Sequence, residues 1–344
     1  MNPAAVLEAG WGLASAALEP LGAGHINDTL LVTAADGTGW VLQRINEQVF
    51  TDPERVMNNL TRVQAHLGEV APGLIPPLIE TLDGRSTCRD EQGGWWRLWA
   101  YLPDGHTVEQ TGDPAVCRAA AHAFGRFQHL LADLPGPPLE PTIPGFLELG
   151  GYLDRFDAVT ARTLDAEAVV NEACAGPGFI DSYRGLAAEL PKGDAIIHGD
   201  CKLNNLLFEE SGLAVSAVLD LDTIMVGHWA WDFGDLARSV LTGVIDAGDA
   251  DVRALFAALV EGFQIGSERA LDARALSIAP GYVAFMLGVR FLTDHLEGDR
   301  YFKVSAPGEN LDRARRQFAL LERLPVAAFE EAASKVLAGE APGV

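Results

Sequence analysis

Asp200, Asn205 and Asp220 are the residues of this chain whose types and spacing could do chemistry together. They share one stretch, IIHGDCKLNNLLFEESGLAVSAVLDLDT, residues 196–223. The apolar run Ala195-Ile196-Ile197 leads into His198-Gly199-Asp200, and a second run, Leu206-Leu207-Phe208, follows Asn205. After a polar turn at residues 209–212, a β-type run over residues 214–219 ends on Asp220. Strand, polar loop, strand, turn, strand is an order that can bring two carboxylates and an amide oxygen to one rim of a small sheet. Such hard oxygen ligands are the kind that Mg²⁺ accepts beside substrate phosphates. The competing account is a metal-free acidic loop between hairpin strands. The full spacing, with a carboxylate closing the next strand, weighs against it.

The pattern His198-Gly199-Asp200-x-x-x-x-Asn205, followed by Asp220, resembles the catalytic loop and metal-binding aspartate of the aminoglycoside phosphotransferase and choline kinase superfamily. The protein-kinase form of this loop is H-R-D-x-x-x-x-N, with Asp as base and Asn on magnesium; Gly199 stands here at the Arg position. The resemblance implies an α+β, two-lobed, protein-kinase-like fold. A small β-rich nucleotide-binding lobe is expected over residues 1–102, and a larger, mainly helical catalytic and acceptor-binding lobe over 103–344. It implies an ATP- and Mg²⁺-dependent phosphotransferase in which Asp200 accepts or orients the proton of the attacking hydroxyl, Asn205 and Asp220 hold Mg²⁺, and His198 supports the loop through hydrogen bonds. Downstream, Trp231-Asp232-Phe233-Gly234-Asp235 resembles the family's loop that ends in an aspartate at the start of a helix. That gives Asp232 the bracing role, with helix N-capping as its physical basis. Asp232-Phe233-Gly234 spells DFG, but no β run ends on it, so the metal role stays on Asp220.

Composition sets outer bounds. A chain of 344 residues suggests two lobes rather than one, and 48% hydrophobic residues is a globular content. The 25 basic and 48 acidic residues give a formal charge of −23, which argues against nucleic acid or an anionic membrane as partner. That field also repels a polyphosphate, so a kinase needs Mg²⁺ and local cations to override it. Cys88, Cys117, Cys174 and Cys201 lack CxxC or Cys/His spacing, so neither zinc nor a disulfide framework is expected, and Cys201 reads as a packed residue. No targeting segment and no run of transmembrane length is read, giving the expectation of a soluble, cytoplasmic protein, monomer or homodimer.

The elements that must position these residues read as follows. A short amphipathic helix over residues 4–17 precedes a glycine-bearing turn, Leu21-Gly22-Ala23-Gly24, and strands at 30–32 and 40–45. Gly22 and Gly24 would let backbone N–H groups close over nucleotide phosphates. The third strand, where a kinase carries a phosphate-binding lysine, offers Arg44, with Glu54 as its candidate partner in a helix opened by Asp52-Pro53 and running to 66 or 67. Trp95 to Tyr101 reads as a strand, with Trp99 and Tyr101 at a hinge whose backbone can meet adenine. Helices follow at 113–131, 146–159, 166–175, 179–190, 235–243, 249–264, 268–296 and 310–336.

Gly24-His25-Ile26-Asn27-Asp28-Thr29, Leu42-Gln43-Arg44-Ile45-Asn46, Leu219-Asp220-Leu221-Asp222-Thr223 and Arg290 through Asp299 together resemble the bacterial N-acetylhexosamine 1-kinase branch of that superfamily. The branch carries Arg44 at the lysine position, and the likeness is weakest over residues 140–180. It implies transfer of the γ-phosphoryl of ATP to the anomeric hydroxyl of an N-acetylhexosamine, with His25, Asp222, Arg290 and Tyr301 as candidate sugar contacts. Surface ion pairs or packing are the competing account of those four. Other acceptors (another sugar, an aminoglycoside, a choline-like amino alcohol, homoserine) and a pseudokinase stay open as alternatives.

Overall fold

The computed structural model describes residues 2–22, 26–247 and 252–340. Two compact units emerge: Met1–Thr107 with Leu130–Pro144 and Asn205–Met225, and Val108–His129 with Gly145–Asn204 and Val226–Val344. The division is less simple than one cut near residue 102, because two later segments return to the first unit.

The first unit is built on an antiparallel sheet in the order Ala17–Pro20, Asp28–Thr33, Gly39–Arg44, Trp95–Ala100, Leu78–Ile79, with Cys88–Arg89 also paired to Trp95–Ala100. Side chains alternate between its faces. On one face Leu42, Trp96 and Leu98 form a core with Val6, Leu7 and Trp11 of the helix Pro3–Trp11. On the other lie Gln43, Arg97 and Trp99, joined by hydrogen bonds. The helix Pro53–Val70 starts as its sequence dictates: the Asp52 carboxylate accepts the Arg55 N–H and Pro53 fills the first turn. It buries Val56, Leu60, Val63 and Leu67 and runs one turn past the expected end. A separate antiparallel hairpin pairs Leu206–Phe208 with Val215–Val218.

The second unit is mainly helical, so the class is α+β as expected. Its centre is Ala273–Leu296, packed by Trp229–Ala247, Glu309–Arg323 and Val326–Leu337. Contrary to the reading that no run reaches transmembrane length, this helix is long and apolar enough to cross a membrane, but 78% of its most apolar window is buried inside the protein. Burial on nearly all sides is what makes it apolar all round. The helix expected over 310–336 is two helices, because Pro325 lacks an N–H and holds Leu324 extended. The one expected over 179–190 is likewise two short pieces, Phe179–Tyr183 and Leu186–Glu189.

Candidate active site

The strand Ala195–Ile197 of the second unit delivers the chain into His198-Gly199-Asp200. Gly199 has φ +84°, a left-handed conformation that a side chain at this position would strain, which accounts for glycine where protein kinases have Arg. Asp232 braces the loop from the helix Trp229–Ala247. Its two oxygens accept the N–H groups of His198 and Gly199, each at 2.8 Å, and Gln128 Nε2 at 2.8 Å. The carboxylate thus caps the loop and not its own helix, whose Ala230 N–H goes to His228 Nδ1. His198 is fully buried, edge-on to Phe124 and Phe127, and its Nδ1 accepts the Asp200 N–H at 3.2 Å.

Asp200 keeps about a fifth of its side chain accessible, and Lys202 Nζ lies 2.9 Å from its Oδ1. One helical turn beyond Asp232, burial pushes the Asp235 carboxyl up, the paired Arg238 guanidinium pulls it down, and the Asp200 charge adds to the push. Burial also lifts the Cys201 thiol well above its ordinary range, with nearby Asp232 and Asp235 adding to it, so this thiol is packed and unreactive. The DFG triplet lies within a helix: Phe233 packs on Phe256 and Phe263, and a Cβ on Gly234 would come within 2.5 Å of Ala279 O. Its glycine serves helix–helix contact.

In the first unit the hairpin register brings Asn205 and Asp220 together. Leu206 pairs with Val218, and Leu219 N–H donates to Asn205 O at 2.8 Å, which sets Asp220 beside Asn205 at the open end of the two strands. Asp220 has φ +58°. An amide oxygen and a carboxylate on adjacent strand ends fit Mg²⁺, which takes one or two protein carboxylates and fills its shell from phosphates and water.

The sheet face corrects the expected partner of Arg44. Its Nε lies 3.9 Å from Asp90 Oδ2, on the face of Trp96 and Leu42, whereas Glu54 pairs with Arg89 at 3.8 Å. The expected Arg44–Glu54 pair does not form, because the alternation of side chains turns Arg44 away from the helix Pro53–Val70. A cation that does reach the helix from the central strand is Arg97, in contact with Met57. Nearly fully buried, it meets Asp222 Oδ1 at 2.5 Å and Oδ2 at 2.9 Å. Asn27 Nδ2 donates to the same Oδ2 at 2.7 Å, and the Thr142 hydroxyl donates to Asp222 O. Asp222, expected to touch sugar, is 2% exposed and engaged on both oxygens within the unit. Trp99 donates its indole N–H to Gln43 Oε1. Tyr101 follows the strand, half-exposed, and Gly22 turns with φ +70°. Gly24 and His25 lie outside the described residues.

A family model described as "Phosphotransferase enzyme family" matches residues 17–272. The chain belongs to this phosphotransferase family. Among solved structures, a microcompartment-associated aminopropanol kinase is 18% identical with a TM-score of 0.62, over 92% of this chain and 95% of that one. An amicoumacin kinase in complex with AMP-PNP, Ca²⁺ and Ami is 15% identical with a TM-score of 0.59, over 90% and 89%. A choline/ethanolamine kinase family protein from Mesorhizobium loti is 21% identical with a TM-score of 0.56, over 93% and 92%. At such identities the likeness carries the kinase-like fold.

The phosphotransferase has a further cluster in its second unit. The Arg290 guanidinium is ringed by Tyr152 at 4.9 Å, Phe302 at 5.2 Å, Phe146 at 5.3 Å and Tyr301 at 5.6 Å. No hydrogen bond or ion pair to Arg290 occurs among the described residues. Of the four expected sugar contacts, Arg290 and Tyr301 therefore stand side by side. Sequence reasoning missed Phe146, Tyr152 and Phe302 as their companions, and it missed Arg97, whose one signal was a charge inside Trp95-Trp96-Arg97-Leu98-Trp99.

Proposed function

We propose that this phosphotransferase moves the γ-phosphoryl of ATP to a sugar hydroxyl, the anomeric hydroxyl of an N-acetylhexosamine. The acceptor oxygen would attack phosphorus as the bond to the bridging oxygen breaks and ADP leaves, with Asp200 taking or orienting the hydroxyl proton. The bracing of the loop by Asp232 and His198 would keep that carboxylate in one place, and Lys202 would temper its charge. Asn205 and Asp220 would hold Mg²⁺, which when bound offsets phosphate charge.

The observation carrying the acceptor class is the Arg290 cluster. A guanidinium without an acidic partner among the described residues offers donors to carbonyl and hydroxyl oxygens, and aromatic rings suit the apolar face of a sugar. An aromatic box for a choline or aminoglycoside ammonium would not contain a cation of its own. The charge of −23 favours those cationic acceptors instead, so they form the second reading.

The test is ADP release over N-acetylglucosamine, N-acetylgalactosamine, glucose, choline, homoserine and an aminoglycoside, with the product read by phosphorus NMR. Anomeric phosphate on an N-acetylhexosamine is expected, abolished by chelation and restored by Mg²⁺. Turnover with the cationic acceptors alone would overturn the sugar reading.

A further inference from the structure

Asp294 sits in the last turn of Ala273–Leu296, four residues after Arg290 and 3% exposed. Two features make it odd. A buried carboxylate at a helix C-terminus opposes the helix dipole, and at i+4 it is the natural ion partner of Arg290, yet the two form no ion pair. The turn beyond explains both. Asp294 Oδ1 accepts the N–H groups of Arg300 at 2.9 Å and Tyr301 at 2.8 Å, while Oδ2 accepts Phe302 N–H at 2.9 Å and Asn310 Nδ2 at 2.9 Å. Three successive amides wrap the carboxylate as a nest wraps an anion. Gly298 and Asp299 take φ +89° and +56° to make that wrap, and Asn310 also binds Asp299 Oδ1. Arg313 then closes the turn on Asn310 Oδ1 and Lys303 O.

Two of the three wrapped residues are Tyr301 and Phe302, which supply half of the rings around Arg290. The nest fixes the backbone that presents them, and it consumes the carboxylate that would otherwise neutralise Arg290. We propose that Asp294 is a positioning residue for acceptor recognition: it builds the aromatic wall of residues 301–302 and leaves the Arg290 donors to the acceptor. This rests on the reading that Arg290 meets the acceptor.

The experiment uses Asp294→Asn, whose amide replaces one acceptor with a donor facing the nest, with N-acetylglucosamine and MgATP. The expected result is a rise of about tenfold or more in KM for N-acetylglucosamine, with kcat and KM for MgATP within about twofold, and faster hydrogen exchange at amides 300–302. Exchange that quickens while KM for N-acetylglucosamine stays put would overturn the proposal. Arg290→Met runs beside it. If that variant leaves KM for N-acetylglucosamine unchanged, or if the wild-type protein does not turn over this sugar, the acceptor reading fails and the proposal falls with it. If Arg290→Met raises that KM and Asp294→Asn does not, this proposal alone is overturned. Should circular dichroism show Asp294→Asn misfolded, Asn310→Leu, which removes the side-chain donor to Asp294 together with the contacts to Asp299 and Arg313 but keeps the three amides, should give the same KM-only split at smaller size.

Discussion

At Asp200 the structure offers a carboxylate that is accessible, held by a braced loop and 2.9 Å from an ammonium. For a group acting on a proton, Asp200→Asn should lower kcat by about 10² to 10⁴, while calorimetric affinity for MgADP and the thermal midpoint stay as in the wild type. Loss of nucleotide affinity of similar size would assign the residue to binding instead. Contacts such as those of His198 and Asp232, to a loop within a few dozen residues, are of a reach that could be read from sequence. Asp222 could not. Its neighbours Arg97, Asn27 and Thr142 come from three distant segments, and only the folded sheet shows that its oxygens are taken. The aromatic companions of Arg290 were hidden in the same way, since Phe146 and Tyr152 precede it by well over a hundred residues.

At the scale of elements, strands and helices were legible where period and capping agreed, as in Pro53–Val70. The face of Gly39–Arg44 was not legible, because a one-residue change of register exchanges the two faces of a strand. Gln43 and Arg44 are both polar and adjacent, so hydrophobic alternation does not decide between them. The structure sends Arg44 to Asp90, which also accepts from the Trp96 indole and the amides of Gly94 and Gln92. Burial pushes the Asp90 carboxyl up, yet these hydrogen bonds and the Arg44 charge hold it below its ordinary value. A carboxyl lowered by folding stabilises the protein above its unfolded pKa, and that stability is lost as pH falls through the folded value. Asp90→Asn should therefore melt below the wild type at neutral pH, with the gap closing below about pH 4. A gap that persisted at the acid end would show that shape, and not charge, is what the substitution removes.

On the scale of the whole molecule, the function class was legible because one short stretch carries it, and the family match over residues 17–272 agrees. The acceptor reading was less legible because the Arg290 cluster on which that proposal rests is assembled from segments far apart in the chain. The same long-range closure governs stability. Arg97 and Asp222 join a central strand to the segment after the hairpin, and Asn27 and Thr142 add two more segments. Arg97→Met would leave Asp222 buried without its countercharge, at a cost of about 3–5 kcal/mol, read by denaturant unfolding. The double variant Arg97→Met/Asp222→Leu should recover most of that loss. Equal destabilisation in both would mean that the apolar pair cannot refill the space.

The left-handed backbone at Asp220 reaches beyond this chain's own chemistry. Among residues with an oxygen to offer a cation, Asp and Asn tolerate such a conformation and Glu does so far less readily. The first carbon of the side chain and its terminal oxygens thus impose separate requirements on one codon. Evolution could exchange Glu for Asp on chemical grounds at many metal sites; at Asp220, the twist of the main chain narrows that freedom whether or not the proposed Mg²⁺ role holds.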